Sequence, residues 1–125
     1  MLTECIGESV ALNGKIYPCT VSLTMDLVGG KWKAVILYHL QHGEKRFSEL
    51  HRHMSAVTEM TLSKQLKQLE NDGMISKKVI GKKPPVKVIY TLTEFGQSFL
   101  PVLNAITEWG NQVAINKGSF ITNNS

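Results

Sequence analysis

The chain has 125 residues, of which 42% are hydrophobic and 19% are charged, enough for one packed domain but hardly for two. No stretch approaches the roughly 18 consecutive apolar residues of a membrane span, and the first residues do not resemble a signal peptide, so a cytoplasmic protein is expected. The net charge is +4, yet residues 60–90 alone contain seven lysines and two acidic residues. A positive excess confined to one segment favours a polyanionic partner, with nucleic acid first.

The N-terminal part predicts a short hairpin followed by two helices. Residues 1–18 form an extension in which Asn13-Gly14, between two short apolar runs, is typical of a type I′ turn. A first helix opens at Pro18-Cys19-Thr20 and closes at Gly29-Gly30. A second helix, from Lys31 to about His42, is apolar on most sides. It is therefore expected at the centre of the core.

The next two helices have the spacing of a helix-turn-helix. Phe47, Leu50 and Met54 mark a short helix with Arg46 and Arg52 on its outer side. The following helix is bounded by a Thr58 N-cap and a Gly73 stop. Its leucines at 62, 66 and 69 recur at helical spacing, so the opposite face stays free; that face carries Met60, Lys64, Lys67 and Asn71.

A wing and a long helix complete the predicted fold. Two strands rich in β-branched residues, Met74 to Ile80 and Val86 to Leu92, flank a proline-rich loop that should protrude as a wing. Thr93 then caps a long amphipathic helix that Pro101 should kink. We expect one domain over residues 19–117, mainly α with a small β wing, followed by a flexible tail at 118–125.

Five segments in register closely resemble the HxlR-type family of bacterial winged-helix transcription regulators: DLVGGKWKAVIL, RFSELHRHM, MTLSKQLKQLENDGMI, PPVKVIYTLTEFG and PVLNAITEWG. The resemblance extends from Cys19 to about Gly110. It implies a homodimer that binds DNA near promoters, with dimer contacts from the N- and C-terminal helices. In some members a cysteine before the first helix senses electrophiles or oxidants, and Cys19 matches it. In this chain Pro18 precedes the cysteine, whereas a proline commonly follows it in the family.

The function expected from these observations is a sequence-specific regulator that binds double-stranded DNA as a homodimer on an inverted-repeat operator. The candidate DNA contacts are Arg46, Arg52, Thr58, Thr61, Lys64, Gln65, Lys67, Gln68, Lys82, Lys83 and Lys87. The candidate dimer contacts are Phe99, Val102, Leu103, Ile106 and Trp109. Cys19 is a redox-sensing candidate, and its alternative is an inert buried thiol.

Other classes of function fit the sequence less well. A winged-helix module that binds proteins without reading DNA should expose an apolar or acidic face, whereas the free face here is basic. An enzyme using Cys19 would need a base and an oxyanion site, and no such arrangement is recognisable. The two cysteines are too few for a disulfide framework, and neither they nor the four histidines form a metal-ligand set. No motif indicates a cofactor, and none identifies a small-molecule effector.

Overall fold

The computed structural model describes residues 9–121, so Cys5 and the last four residues lie outside the described part. The chain order is β1 (Val10–Leu12), β2 (Lys15–Tyr17), α1 (Thr20–Val28), α2 (Lys33–Leu40), β3 (Lys45–Arg46), α3 (Phe47–His53), α4 (Glu59–Asn71), β4 (Ile75–Ile80), β5 (Lys87–Leu92), α5 (Glu94–Gln97) and α6 (Leu100–Lys117).

The N-terminal hairpin forms as the sequence predicts and is attached to α1. Asn13 and Gly14 have φ values of 52° and 77°, the left-handed geometry that a type I′ turn requires. The Tyr17 hydroxyl donates to the Asp26 carboxylate at 2.5 Å, and Lys15 lies 3.4 Å from the same carboxylate. The hydrogen bond between them raises the pKa of Tyr17 to about 12. The same hydrogen bond is the largest cause of the lowered pKa of Asp26, and the positive charge of Lys15 is the second largest.

The core forms where α2, α3 and α4 pack against the sheet. Its fully buried side chains are Ile36, Leu37, Leu50, Leu62, Leu66, Leu69, Met74 and Ile75. This set contains the leucine stripe that periodicity assigns to the inner face of α4. Helix α2 is shorter at both ends than predicted, and Gly30, with a φ of 81°, keeps the chain non-helical just before it.

A three-stranded antiparallel sheet has the order β3-β5-β4. The sequence predicts β4 and β5 but not β3, whose two residues pair with Tyr90 and Ile89 of β5. Lys78 of β4 also pairs with Ile89. Since paired residues share a face of an antiparallel sheet, Arg46 and Lys78 lie on either side of Ile89 on one face.

The C-terminal segment contains two helices where the sequence predicts one kinked helix. Helix α5 ends at Gln97, and α6 starts at Leu100 with Pro101 in its first turn. Proline has no N–H to donate to the carbonyl four residues earlier, but at the start of a helix that donor is not needed. The proline therefore begins a new helix, and the predicted kink is wrong. Within α6 only Leu103 is buried.

Candidate nucleic-acid interface

The turn between α3 and α4 is fixed by apolar packing and by one side-chain hydrogen bond. Met54 and Val57 are buried. The His51 ring nitrogen Nε2 lies 3.0 Å from the Val57 carbonyl oxygen, which accepts its hydrogen bond. The turn thus presents the start of α4 in a defined orientation, as a helix-turn-helix requires.

The first turn of α4 is capped by Thr58. Its Oγ1 accepts from the Thr61 backbone N–H at 3.1 Å and donates to Thr61 Oγ1 at 3.0 Å. Both threonines are candidate DNA contacts, and the structure shows that their hydroxyls already bond to each other. Farther along the helix, Lys64 and Lys67 are exposed and Gln65 is half-buried.

The C-terminal end of α4 meets the N-terminal hairpin region. Gln68 and Asn71 line a polar hollow of about 290 Å³ together with Lys15, Asp26, Lys33 and Asp72. The hairpin and α1 thus approach the end of α4, while its first turns remain open. Gln68, one of the candidate DNA contacts, consequently faces the protein's own polar groups.

The sheet carries a second group of cations. Lys87 follows the wing loop in β5 and, by strand alternation, shares a face with Ile89. Arg46, Lys78 and Lys87 therefore occupy one face of the sheet, and Arg46 and Lys87 line the same hollow of about 210 Å³. We call these three residues the sheet cations. Lys77 pairs with the buried Tyr90 and belongs to the other face.

These positive charges have no acidic partners within the described residues. The ion pairs in residues 9–121 are Lys15 with Asp26 and, when His51 is protonated, His51 with Glu59. Neither pair includes the exposed cations of α3, α4, the wing tip and the sheet face that carries the sheet cations; they are Arg46, Arg52, Lys64, Lys67, Lys78, Lys82, Lys83 and Lys87. A surface of unpaired cations suits the phosphates of a nucleic acid.

Helices α1 and α6 both expose apolar side chains. Val21 and Met25 of α1 are exposed, as are the α6 residues Val102, Ile106, Trp109 and Val113. The α6 residues follow one another at helical spacing and form one stripe. We call this set the apolar surface.

Two of the five candidate dimer contacts do not belong to the apolar surface. Phe99 and Leu103 are only 7% and 3% exposed, because the break before α6 turns them into the chain's own core. Val102, Ile106 and Trp109 remain exposed, as the sequence predicts for a dimer contact.

Cys19 is in a disulfide, so the expectation of a free thiol at this position is wrong. Sulfur pairing depends on proximity in three dimensions and has no local sequence signal. Cys19 is buried at the N-cap of α1, and its Sγ lies 3.6 Å from the Ser22 hydroxyl. A disulfide sulfur carries no proton, so Ser22 is the donor. The chain's other cysteine, Cys5, lies outside the described residues.

Neither a metal centre nor a membrane-spanning helix is found in the described part of the chain. Over residues 9–121, no three histidine, cysteine, aspartate or glutamate side chains lie where they would hold a metal ion. In the same range, every helix is too short or too polar to cross a bilayer.

Comparison with known proteins identifies the family of this chain. Residues 27–117 match the family described as HxlR-like helix-turn-helix. The HTH-type transcriptional regulator YtcD of Bacillus subtilis is 47% identical over 96 residues, which span 77% of this chain and 75% of YtcD.

Two solved structures have the same fold. The reduced form of the redox regulator HypR is 40% identical with a TM-score of 0.71, over 75% of this chain and 92% of HypR. The reduced form of the regulator YodB from B. subtilis is 31% identical with a TM-score of 0.66, over 80% of this chain and 96% of YodB. These matches confirm the winged-helix fold and the resemblance that the five sequence segments indicate. The chain belongs to the HxlR-like helix-turn-helix family of transcriptional regulators.

Proposed function

We propose that this regulator binds double-stranded DNA as a homodimer on an inverted-repeat operator. The observation that carries the proposal is the exposed start of α4 beside a group of cations without acidic partners. In a helix-turn-helix protein the N-terminal residues of the second helix contact base edges, while flanking cations contact phosphates.

We assign the candidate contacts to two roles. Lys64 and the half-buried Gln65 lie on the open part of α4 and are proposed to contact bases, with Thr61 beside them. Phosphate contacts are assigned to Lys67 of α4 and to cations outside it: Arg46, Arg52, Lys82, Lys83 and Lys87. The main role assigned to Thr58 is that of the helix cap, since its hydroxyl oxygen accepts from the Thr61 N–H. Gln68 has a lower priority because it lines the hollow beside the hairpin.

A protein-interaction module is the alternative, and the surface next to α4 argues against it. Such a module would bury an apolar or acidic face against its partner, whereas the exposed side chains of α3, α4, the wing tip and the sheet face that carries the sheet cations include eight cations. The exposed apolar residues of α1 and α6 are proposed to serve the homodimer.

Selection of bound sequences from a random duplex pool tests DNA reading directly. We expect the wild type to enrich an inverted repeat and to prefer it to a scrambled duplex in gel shifts. Lys64→Ala should reduce this preference by roughly 10-fold or more, the range of one good base contact. Lys117→Ala removes a lysine outside the proposed surface and is the matched control. Equal binding of selected and scrambled duplexes by the wild type would contradict the proposal.

We propose further that the Cys19 disulfide is the redox-responsive element. HypR is described as a redox regulator and is solved in reduced and oxidised forms, and YodB is solved after diamide treatment and with a bound quinone. When a disulfide forms, two thiols lose two electrons and two protons to an oxidant such as diamide. Cys19 caps the helix that carries Val21 and Met25 of the apolar surface. Its redox state can thereby alter subunit arrangement.

The test compares the operator affinity of protein whose disulfide has first been reduced with the affinity of the same protein after diamide treatment. Cys19→Ser should abolish the response, and Cys5→Ser should abolish it too if the two cysteines pair with each other. Non-reducing electrophoresis separates that case from a disulfide between two chains. An unchanged response in Cys19→Ser would eliminate the redox role.

A further inference from the structure

Met60 stands apart from the other apolar residues of the helix-turn-helix. Between Phe47 and Asn71 it is the one large hydrophobic side chain that is strongly exposed, at 82%, while Leu62, Leu66 and Leu69 of the same helix are buried. A single exposed apolar residue is common on protein surfaces. The position of Met60 on α4, however, indicates a specific role.

Met60 is the second residue of α4, and it lies on the same side of the helix as Lys64 and Lys67, opposite the buried leucines. The far end of that side approaches the hairpin, since Asn71 lines the polar hollow with Lys15. The open end, where Met60 lies, is the end that a helix-turn-helix inserts towards base edges. Met60 also borders an open hollow of about 570 Å³ with Phe47 and Val88, so its side chain has room to change rotamer.

The chemistry of methionine limits what it can recognise there. Its thioether offers no hydrogen-bond donor, and its flexible, polarisable chain adapts to apolar shapes. Among the groups that unmodified bases present in the major groove, the apolar one is the 5-methyl of thymine. A lysine cannot distinguish that methyl, so a methionine adds readout that Lys64 and Lys67 do not supply.

We propose that Met60 is a specificity-determining residue that contacts a thymine methyl in each operator half-site. This inference rests on the proposed DNA-binding function. It predicts that each selected half-site contains a thymine whose methyl contributes to affinity.

Replacement of thymine by deoxyuridine tests the contact, because it removes only the methyl. Each thymine of the selected operator is replaced in turn, symmetrically in both half-sites, and gel shifts measure affinity. One position should weaken wild-type binding about fourfold per half-site, the effect of one buried methylene-sized group. Met60→Ala should bind the thymine and deoxyuridine duplexes equally, whereas Met60→Leu should keep the difference. Lys64→Ala, the matched control on the same side of α4, should also keep it.

The outcomes distinguish failure of the Met60 contact from failure of the DNA-binding function on which it rests. If the wild type selects an operator but no deoxyuridine position weakens binding, or if Met60→Ala keeps the full difference, the methyl contact is refuted while DNA reading stands. If the wild type selects no sequence at all, the DNA-binding function fails and the Met60 role fails with it. Circular dichroism of each variant checks the fold, which an exposed residue should not disturb.

Discussion

Gly96 lies where the start of the sheet meets α5, and one backbone oxygen restricts which residue fits there. A Cβ on Gly96 would lie 2.0 Å from the Met74 carbonyl oxygen. That oxygen accepts hydrogen bonds from the Thr93 backbone N–H at 3.1 Å and from the Thr93 hydroxyl at 3.0 Å. Because these bonds hold the oxygen in place, the clash cannot be relieved by a small shift.

Gly96→Ala should therefore destabilise the fold by about 1–3 kcal/mol, the usual cost of overpacking a buried site. Urea denaturation followed by circular dichroism measures the change. Gln97→Ala alters the exposed neighbour in the same helix and should change stability by no more than about 0.5 kcal/mol. Equal stability of the two variants would show that the junction is looser than this geometry indicates.

His39 belongs to a group of aromatic rings between α2 and α3. It stacks on His53 with ring centroids 5.3 Å apart and an interplanar angle of 18°. Tyr38 contacts His39 and His42 edge to face. Burial, followed by the positive charges of His53, His42 and Lys45, lowers the pKa of His39 below its ordinary value of 6.5.

A lowered histidine pKa means that the folded protein binds the proton more weakly than the unfolded chain does. The contribution of His39 is thus fully present above pH 6.5 and is lost as the pH falls from there through the lowered pKa. The free energy of unfolding should decrease between about pH 7 and pH 5, and His39→Gln should make that decrease smaller. His53→Gln removes one neighbouring charge and should give an intermediate slope. An identical slope in the wild type and His39→Gln would contradict this assignment.

The wing and α4 are proposed to contact different parts of the DNA. The wing tip carries Lys82 and Lys83, exposed and outside both ion pairs of the described residues. Contacts with phosphates carry no sequence information, while contacts with base edges do. The two elements should therefore respond differently to salt and to DNA sequence.

Replacement of both Lys82 and Lys83 by alanine should weaken binding to selected and scrambled duplexes equally. Each lost phosphate contact should lower the slope of log affinity against log salt concentration by about 0.9. Gel shifts at several salt concentrations measure the slope, and Lys64→Ala, with its loss of sequence preference, is the comparison. A double variant that keeps the wild-type slope would show that the wing tip does not contact the DNA phosphates.

Elements specified by neighbouring residues are the ones that the sequence predicts well. Helix α4 has a leucine stripe, a Thr58 cap and a Gly73 stop, all within the helix or next to it, and the structure has each of them. Strand β3 has only Lys45 and Arg46, too short for any periodicity, and exists because β5 is available to pair with it. Because β3 depends on pairing with a distant strand, the sequence does not predict it.

The same distinction applies to the candidate site. The exposure of Lys64 and Lys67 follows from the period of α4 alone. The position of Gln68 depends on a hairpin about fifty residues earlier in the sequence, and the burial of Phe99 depends on where α6 begins. Both depend on packing between distant segments, which local patterns do not encode.

Helix α6 buries little of its surface against the rest of its own chain. It has 18 residues but buries only Leu103. In proteins most of the stability of a helix comes from packing of its apolar face against other parts of the structure. The exposed apolar stripe of α6, which includes Trp109 at 73% exposure, has the composition of an interaction surface, as the proposed homodimer requires. A second copy of the chain would cover it symmetrically and would also supply the second half-site reader.

Ile106→Asp places a charge in the middle of this stripe and should convert the proposed dimer to a monomer, because an unpaired carboxylate cannot be buried there without a large cost. Asn104→Asp adds the same charge to an exposed position on the opposite side of α6 and is the matched control. Sedimentation velocity at micromolar concentration should show a dimer for the wild type and Asn104→Asp, and a monomer for Ile106→Asp. Operator affinity should fall roughly 100-fold or more in the monomer, since two half-sites no longer bind as one unit. A wild type that sediments as a monomer, or an Ile106→Asp variant that stays dimeric, would show that α6 serves another purpose.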